Sequence, residues 1–131
     1  IERKLSEHNA VVKKEILCCH TFSRDLPTMT RVIEPALKRG VVVKVLAPLT
    51  RKNRKTVMDW IHIGAEIRQP RKYPGALRFT VFDTKAVRIT IGTPEVKERD
   101  DFRTLWVESK SFAAFMKEHF LMMWKDAKTC P

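Results

Sequence analysis

The chain has 131 residues and carries 26 Lys and Arg against 15 Asp and Glu, a net charge of +11. With 44% hydrophobic and 31% charged residues it has a globular composition, which excludes intrinsic disorder and predicts one domain over residues 1–131. Its longest apolar runs, Val41–Val43 and Phe120–Trp124, fall far short of the roughly 20 residues of a membrane span, and the polar opening segment does not read as a signal peptide.

Residues 1–13 predict a helix with Ile1, Leu5, Val11 and Val12 on its apolar side. Glu15–His20 reads as a short buried strand and Thr21–Asp25 as a loop. Asp25 suits an N-cap, and Pro27 suits the first turn of a helix bearing Met29, Val32, Ile33, Ala36 and Leu37. Pro35 predicts a kink in that helix, and Lys38-Arg39-Gly40 a basic last turn closed by glycine. Val41–Ala47 is a continuous apolar strand broken only by Lys44. Strand, helix and apolar strand together have the pattern of a right-handed βαβ unit in a parallel sheet. Arg51–Ile63 reads as the next helix, with Val57, Trp60, Ile61 and Ile63 apolar. Gly64 ends it, Ala65–Arg68 is another short strand, and 69–75 is a loop.

Residues 76–82 and 86–92 then alternate. Leu77, Phe79 and Val81 face one way, as do Val87, Ile89 and Ile91, with Asp83–Lys85 as the hairpin turn. Thr93–Asp101 is a charged loop and Thr104–Glu108 a final strand. Ser109 caps a long helix to about Lys125, with Phe112, Phe115, Met116, His119, Phe120, Met123 and Trp124 on the buried side. The expected fold class is α/β: an open mixed sheet with a parallel βαβ start and a central antiparallel hairpin, flanked by helices.

This order resembles the middle domain of archaeal TrmB-like transcriptional regulators, over residues 1–127 or so. The opening helix and strand look like the segment after the linker helix of those regulators. Ala36–Leu46 looks like their helix-to-strand junction, Arg78–Gly92 like their central hairpin, and Leu105–Phe112 with Phe120 and Trp124 like their closing strand and helix. The resemblance implies a phospholipase D-like fold. The family's winged helix-turn-helix and the sugar-binding domain of some members have no counterpart in these residues. A start at Ile1 rather than Met is the mark expected of a fragment or a processed form.

Ala76, Arg78 and Asp83 have the spacing of the phospholipase D signature, which runs His, then Lys two residues on, then Asp five residues further. The His of that signature attacks phosphorus and the Lys neutralises phosphate charge. A methyl group at position 76 cannot act as a nucleophile, so no catalysis is expected. One reading keeps Arg78 as an anion-binding relic with Asp83. The ordinary reading, favoured here, is a hairpin with Arg78 on a solvated face and Asp83 opening the turn.

His20, Thr21, Ser23 and Arg24 leave the first strand at the carboxyl edge where α/β folds place ligands, and Arg51 leaves the neighbouring strand there. They form a candidate anion or effector site, against an ordinary polar loop. Arg51, Lys52, Arg54 and Lys55, with Arg68, Arg71 and Lys72, form the densest basic clusters and are candidate nucleic-acid contacts. A solvated helix start and loop is the equal alternative, although cations in a first helical turn oppose the helix dipole. Met116, Met122 and Met123 give the last helix a soft surface suited to a dimer interface. Cys18, Cys19 and Cys130 are too few and too irregular for a disulfide framework and point to a reducing cytoplasm. Histidines and cysteines show no zinc-ligand spacing, so no metal and no cofactor are expected.

These readings converge on a non-catalytic regulatory and dimerisation domain of a TrmB-like archaeal transcriptional regulator. The expected partners are a second copy in a homodimer, DNA through an N-terminal module or basic loops, and a small-molecule effector, with no membrane. The alternatives are a phospholipase D-type phosphodiesterase or nuclease and a free-standing, nonspecific nucleic-acid-binding module.

Overall fold

A computed structural model describes residues 13–19, 33–71, 77–91 and 103–129. In chain order the elements are β1 (Glu15–Cys19), α1 (33–38), β2 (Val42–Leu46), α2 (Arg54–His62), β3 (Glu66–Gln69), β4 (Leu77–Phe82), β5 (Ala86–Ile91), β6 (Arg103–Glu108), α3 (Lys110–Asp126) and β7 (Lys128–Thr129). The predicted helix over 1–13, the loop after β1 and the helix start at Asp25 lie outside the described residues.

The strands form one mixed sheet in the order β6-β5-β4-β1-β2-β3-β7. β1 and β2 are parallel, with Cys18 opposite Val45, and β2 and β3 are parallel, with Val45 opposite Ile67. The remaining pairings are antiparallel. The expected α/β architecture is therefore present: a parallel start, a central hairpin, and helices on both faces.

Strand alternation builds two cores. On one face Ile16, Cys18, Val43, Val45 and Ile67 pack against Ile33 and Ala36 of α1 and Val57 and Trp60 of α2. On the other face Leu17, Cys19, Leu46, Phe79, Val81, Val87 and Ile89 pack against Ala113, Met116, Phe120 and Trp124 of α3. Gly40 and Gly64 close α1 and α2 with φ of 85° and 118°. That left-handed turn lets the Val41 and Ala65 amides reach back to the carbonyls of Ala36 and Trp60 at 3.1 and 3.0 Å.

The structure corrects three expectations and adds one strand. Helix α2 starts at Arg54, so Arg51 and Lys52 lie in the preceding turn. Phe115 and His119 are exposed, not buried. The inward stripe of α3 is Ala113, Met116, Phe120 and Trp124, and Phe115 stands about 100° around the helix from Met116. Val42 in the apolar strand β2 is 46% exposed, so that strand is not covered on both faces along its length. Finally, β7 pairs with β3, an element too short to show any hydrophobic period.

Candidate functional site

Hairpin β4–β5 sits at the centre of the candidate site. Phe79 and Val81 share one register face, so Arg78, Thr80 and Phe82 belong to the opposite face, with α1 and α2. The turn fixes Thr80 opposite Arg88 and Arg78 opposite Thr90. Two arginines therefore stand diagonally on one face of the sheet. Beside them, Thr80 Oγ1 donates to the Cys18 thiol at 3.4 Å. Burial pushes the Cys18 thiol up, opposed by the Thr80 hydrogen bond and by the charges of Arg88 and Arg78.

Arg78 is only 7% exposed. The expected solvated face for it is therefore wrong. β4 lies between β1 and β5 in a seven-stranded sheet, and both faces of a central strand are covered. Arg88 escaped the sequence reading, although the hairpin register alone places it on the face of Arg78.

Asp83 opens the turn, as expected, and does more. Its Oδ1 accepts from the amides of Lys14 and Glu15 at 2.8 and 2.9 Å, and its Oδ2 from the amide of Lys13 at 2.9 Å. The carboxylate thus caps the start of β1. Partial burial pushes its carboxyl up, but the amides of Lys13, Glu15 and Lys14 and the charge of Lys85 outweigh it and hold it below its usual value.

At the opposite edge, Cys19 lies opposite Leu46, so β1 and β2 end side by side. His20, Thr21, Ser23 and Arg24 lie outside the described residues, which leaves the exposed Arg51 as the part of that anion site on view. The loop after β2 is held by the buried Asn53. Its Oδ1 accepts from the Thr50 amide at 2.8 Å and its Nδ2 donates to the Pro48 carbonyl at 2.7 Å.

Arg51, Lys52, Arg54, Lys55 and Arg71 are exposed, and Lys72 lies outside the described residues. Arg68 departs from the expected set of nucleic-acid contacts. Its Nη1 donates to the Trp124 carbonyl at 2.9 Å, and its guanidinium carbon sits 4.4 Å from the Trp124 ring centre. The sequence reading also missed Lys128, which β7 brings opposite Gln69. Among the described residues no three His, Cys, Asp or Glu side chains gather as a metal cage requires.

No family model and no curated protein matches the chain. Solved structures do. TrmBL2, an archaeal chromatin protein with a novel mode of DNA binding, matches with a TM-score of 0.72 and 20% identity over 98% of this chain and 50% of its own. The present chain thus spans half the length of that relative. Nuc from Salmonella typhimurium, a phospholipase D family member, matches with a TM-score of 0.75 and 19% identity over 98% of this chain and 89% of its own. NucT from Helicobacter pylori matches with a TM-score of 0.76 and 11% identity over the same shares. At such identities the likeness speaks for fold, and the fold is the phospholipase D-like one shared by a TrmB-like chromatin protein and phospholipase D family members.

Proposed function

We propose that this chain is a non-catalytic regulatory and dimerisation domain of the TrmB-like kind, working in the cytoplasm on transcription, with a basic surface that contacts DNA. One observation carries the non-catalytic part. Of the three signature positions, the nucleophile is replaced by Ala76 and the Asp83 carboxylate is engaged as a cap on three backbone amides. Neither can attack or relay a proton to a phosphodiester. Arg78 retains the charge that would hold an anion, without a partner chemistry to cleave it. Regulation would then be linkage: an effector that binds one dimer geometry better shifts the population toward it.

Incubation with bis(p-nitrophenyl)phosphate and with single- and double-stranded DNA tests this reading. No turnover is expected. Turnover that is abolished in His20→Ala overturns it in favour of a phosphodiesterase. Sedimentation equilibrium tests the dimer, and a monomer at all concentrations removes the dimerisation role.

A further inference from the structure

The carboxyl edge of β2 and β3 collects positive charge from three separate pieces of chain. The turn after β2 and the first turn of α2 expose Arg51, Lys52, Arg54 and Lys55. Just past β3, Arg71 is exposed. β7 then folds back so that the exposed Lys128 lies opposite Gln69. The Gln69 side chain in turn accepts from the Leu49 amide at 3.4 Å, which ties the β2 loop to β3. Segments 48–55 and 67–72 contain no Asp or Glu.

Three features make this ridge a specific surface and not a diffuse excess of charge. Its β2 loop is fastened, because Asn53 is buried and makes three hydrogen bonds to Thr50 and Pro48. The first turn of α2 holds no acid to offset its cations. And Arg54 and Lys55 stand where the helix dipole disfavours cations, so their placement does not serve the helix.

We propose that this edge is a track for the phosphate backbone of duplex DNA, a reading that rests on the DNA-contacting role given above and locates it. The track recognises charge and spacing, not bases. Its contacts are long, exposed Lys and Arg side chains, which position a duplex without reading its sequence. The domain therefore adds affinity on DNA of any sequence.

Fluorescence anisotropy with labelled duplexes of unrelated sequence tests the proposal on the whole chain. If four or five phosphates are neutralised, log K should fall with log salt at a slope of about −4, roughly a 300-fold loss between 50 and 200 mM NaCl. Lys52→Glu with Lys128→Glu should weaken binding at least about tenfold. Lys85→Glu with Lys110→Glu makes the same charge change at the opposite edge, by the hairpin turn and the start of α3, and should leave affinity within about threefold. Circular dichroism verifies that both variants fold. Equal losses from the two variants overturn the ridge while leaving DNA contact standing. Tighter binding to single-stranded RNA than to the duplex overturns the assignment of the partner. No binding of the unaltered chain at 50 mM salt overturns the DNA-contacting role itself.

Discussion

Arg68 and Trp124 lock the last helix to the sheet. The guanidinium carbon of Arg68 is 4.4 Å from the indole centre, and Nη1 donates to the carbonyl of the same tryptophan at 2.9 Å. Lys44 Nζ approaches the ring at 5.6 Å, and Phe120 stacks on it at 5.7 Å. A planar fork can lie over a ring and still donate to a carbonyl, which an ammonium does poorly. Arg68→Lys should therefore cost about 1–2 kcal/mol in urea unfolding, from the lost stacking and a charge-assisted hydrogen bond. Because the charge is kept and is not on the ridge, duplex affinity should stay within about twofold. A large loss of affinity with unchanged stability would show Arg68 facing DNA instead.

Asp83 predicts a specific pH dependence. Its carboxyl is held below the usual value in the fold, so the unfolded chain binds a proton first as pH falls. Its stabilising contribution is fully present above the unfolded value of about 3.9 and is lost as pH falls through the folded one. Asp83→Asn should lower stability at pH 7 by about 2 kcal/mol, through loss of charge-assisted bonds to the amides of Lys13, Lys14 and Glu15. Its stability should also change less than that of the unaltered chain between pH 5 and about 3. Parallel acid profiles for the two proteins would refute this role.

The same turn stores strain. Asp83 and Thr84 have φ of 52° and 54°, and the Lys85 amide closes the turn on the Phe82 carbonyl at 2.9 Å. Positive φ suits Gly or Asn and is costly for a β-branched residue. The Thr84 hydroxyl offsets little, since its bond to Glu15 is long at 3.4 Å. Thr84→Gly should raise the melting temperature, with a gain of about 0.5–1 kcal/mol. A loss of stability would show that the hydroxyl contact outweighs the strain.

The fold was legible in the sequence wherever one physical period ran long enough. Alternation at Leu77–Val81 and Val87–Ile89, and the glycines at 40 and 64, set the hairpin and the helix ends correctly. Burial of Arg78 was not legible, because alternation assigns a face but not what covers it. Exposure of Phe115 had the same origin: an aromatic within one position of the buried stripe counts as apolar in any window. The ridge was half legible. Arg51–Lys55 is visible as a run, but Lys128 joins it through a two-residue strand, and Arg68 leaves it through a contact with Trp124, 56 residues away.

Phe115 and Met122 offer a surface for the proposed dimer. They are 65% and 70% exposed and stand seven residues, two turns, apart on one side of α3. Neither belongs to the buried stripe, so polar substitutes cost the fold little. Phe115→Asp with Met122→Asp should weaken self-association at least about tenfold in sedimentation equilibrium while shifting the unfolding midpoint little. Unchanged association would move the interface to another face.

Arg54 separates stability from binding by sign. It occupies the first position of α2, where the Asn53 side chain is turned back to Thr50 and Pro48 and makes no cap. Unsatisfied amides and the positive end of the dipole disfavour a cation there and favour an anion. Arg54→Glu should therefore stabilise the protein by about 0.5–1 kcal/mol. On the ridge the same change replaces an attraction to phosphate with a repulsion, so duplex affinity should fall about tenfold and the salt slope should shrink by about one. A substitution that makes the fold firmer and the complex weaker excludes unfolding as the cause of lost binding. If affinity holds while stability rises, Arg54 faces solvent alone and the track must run along Lys52, Arg71 and Lys128.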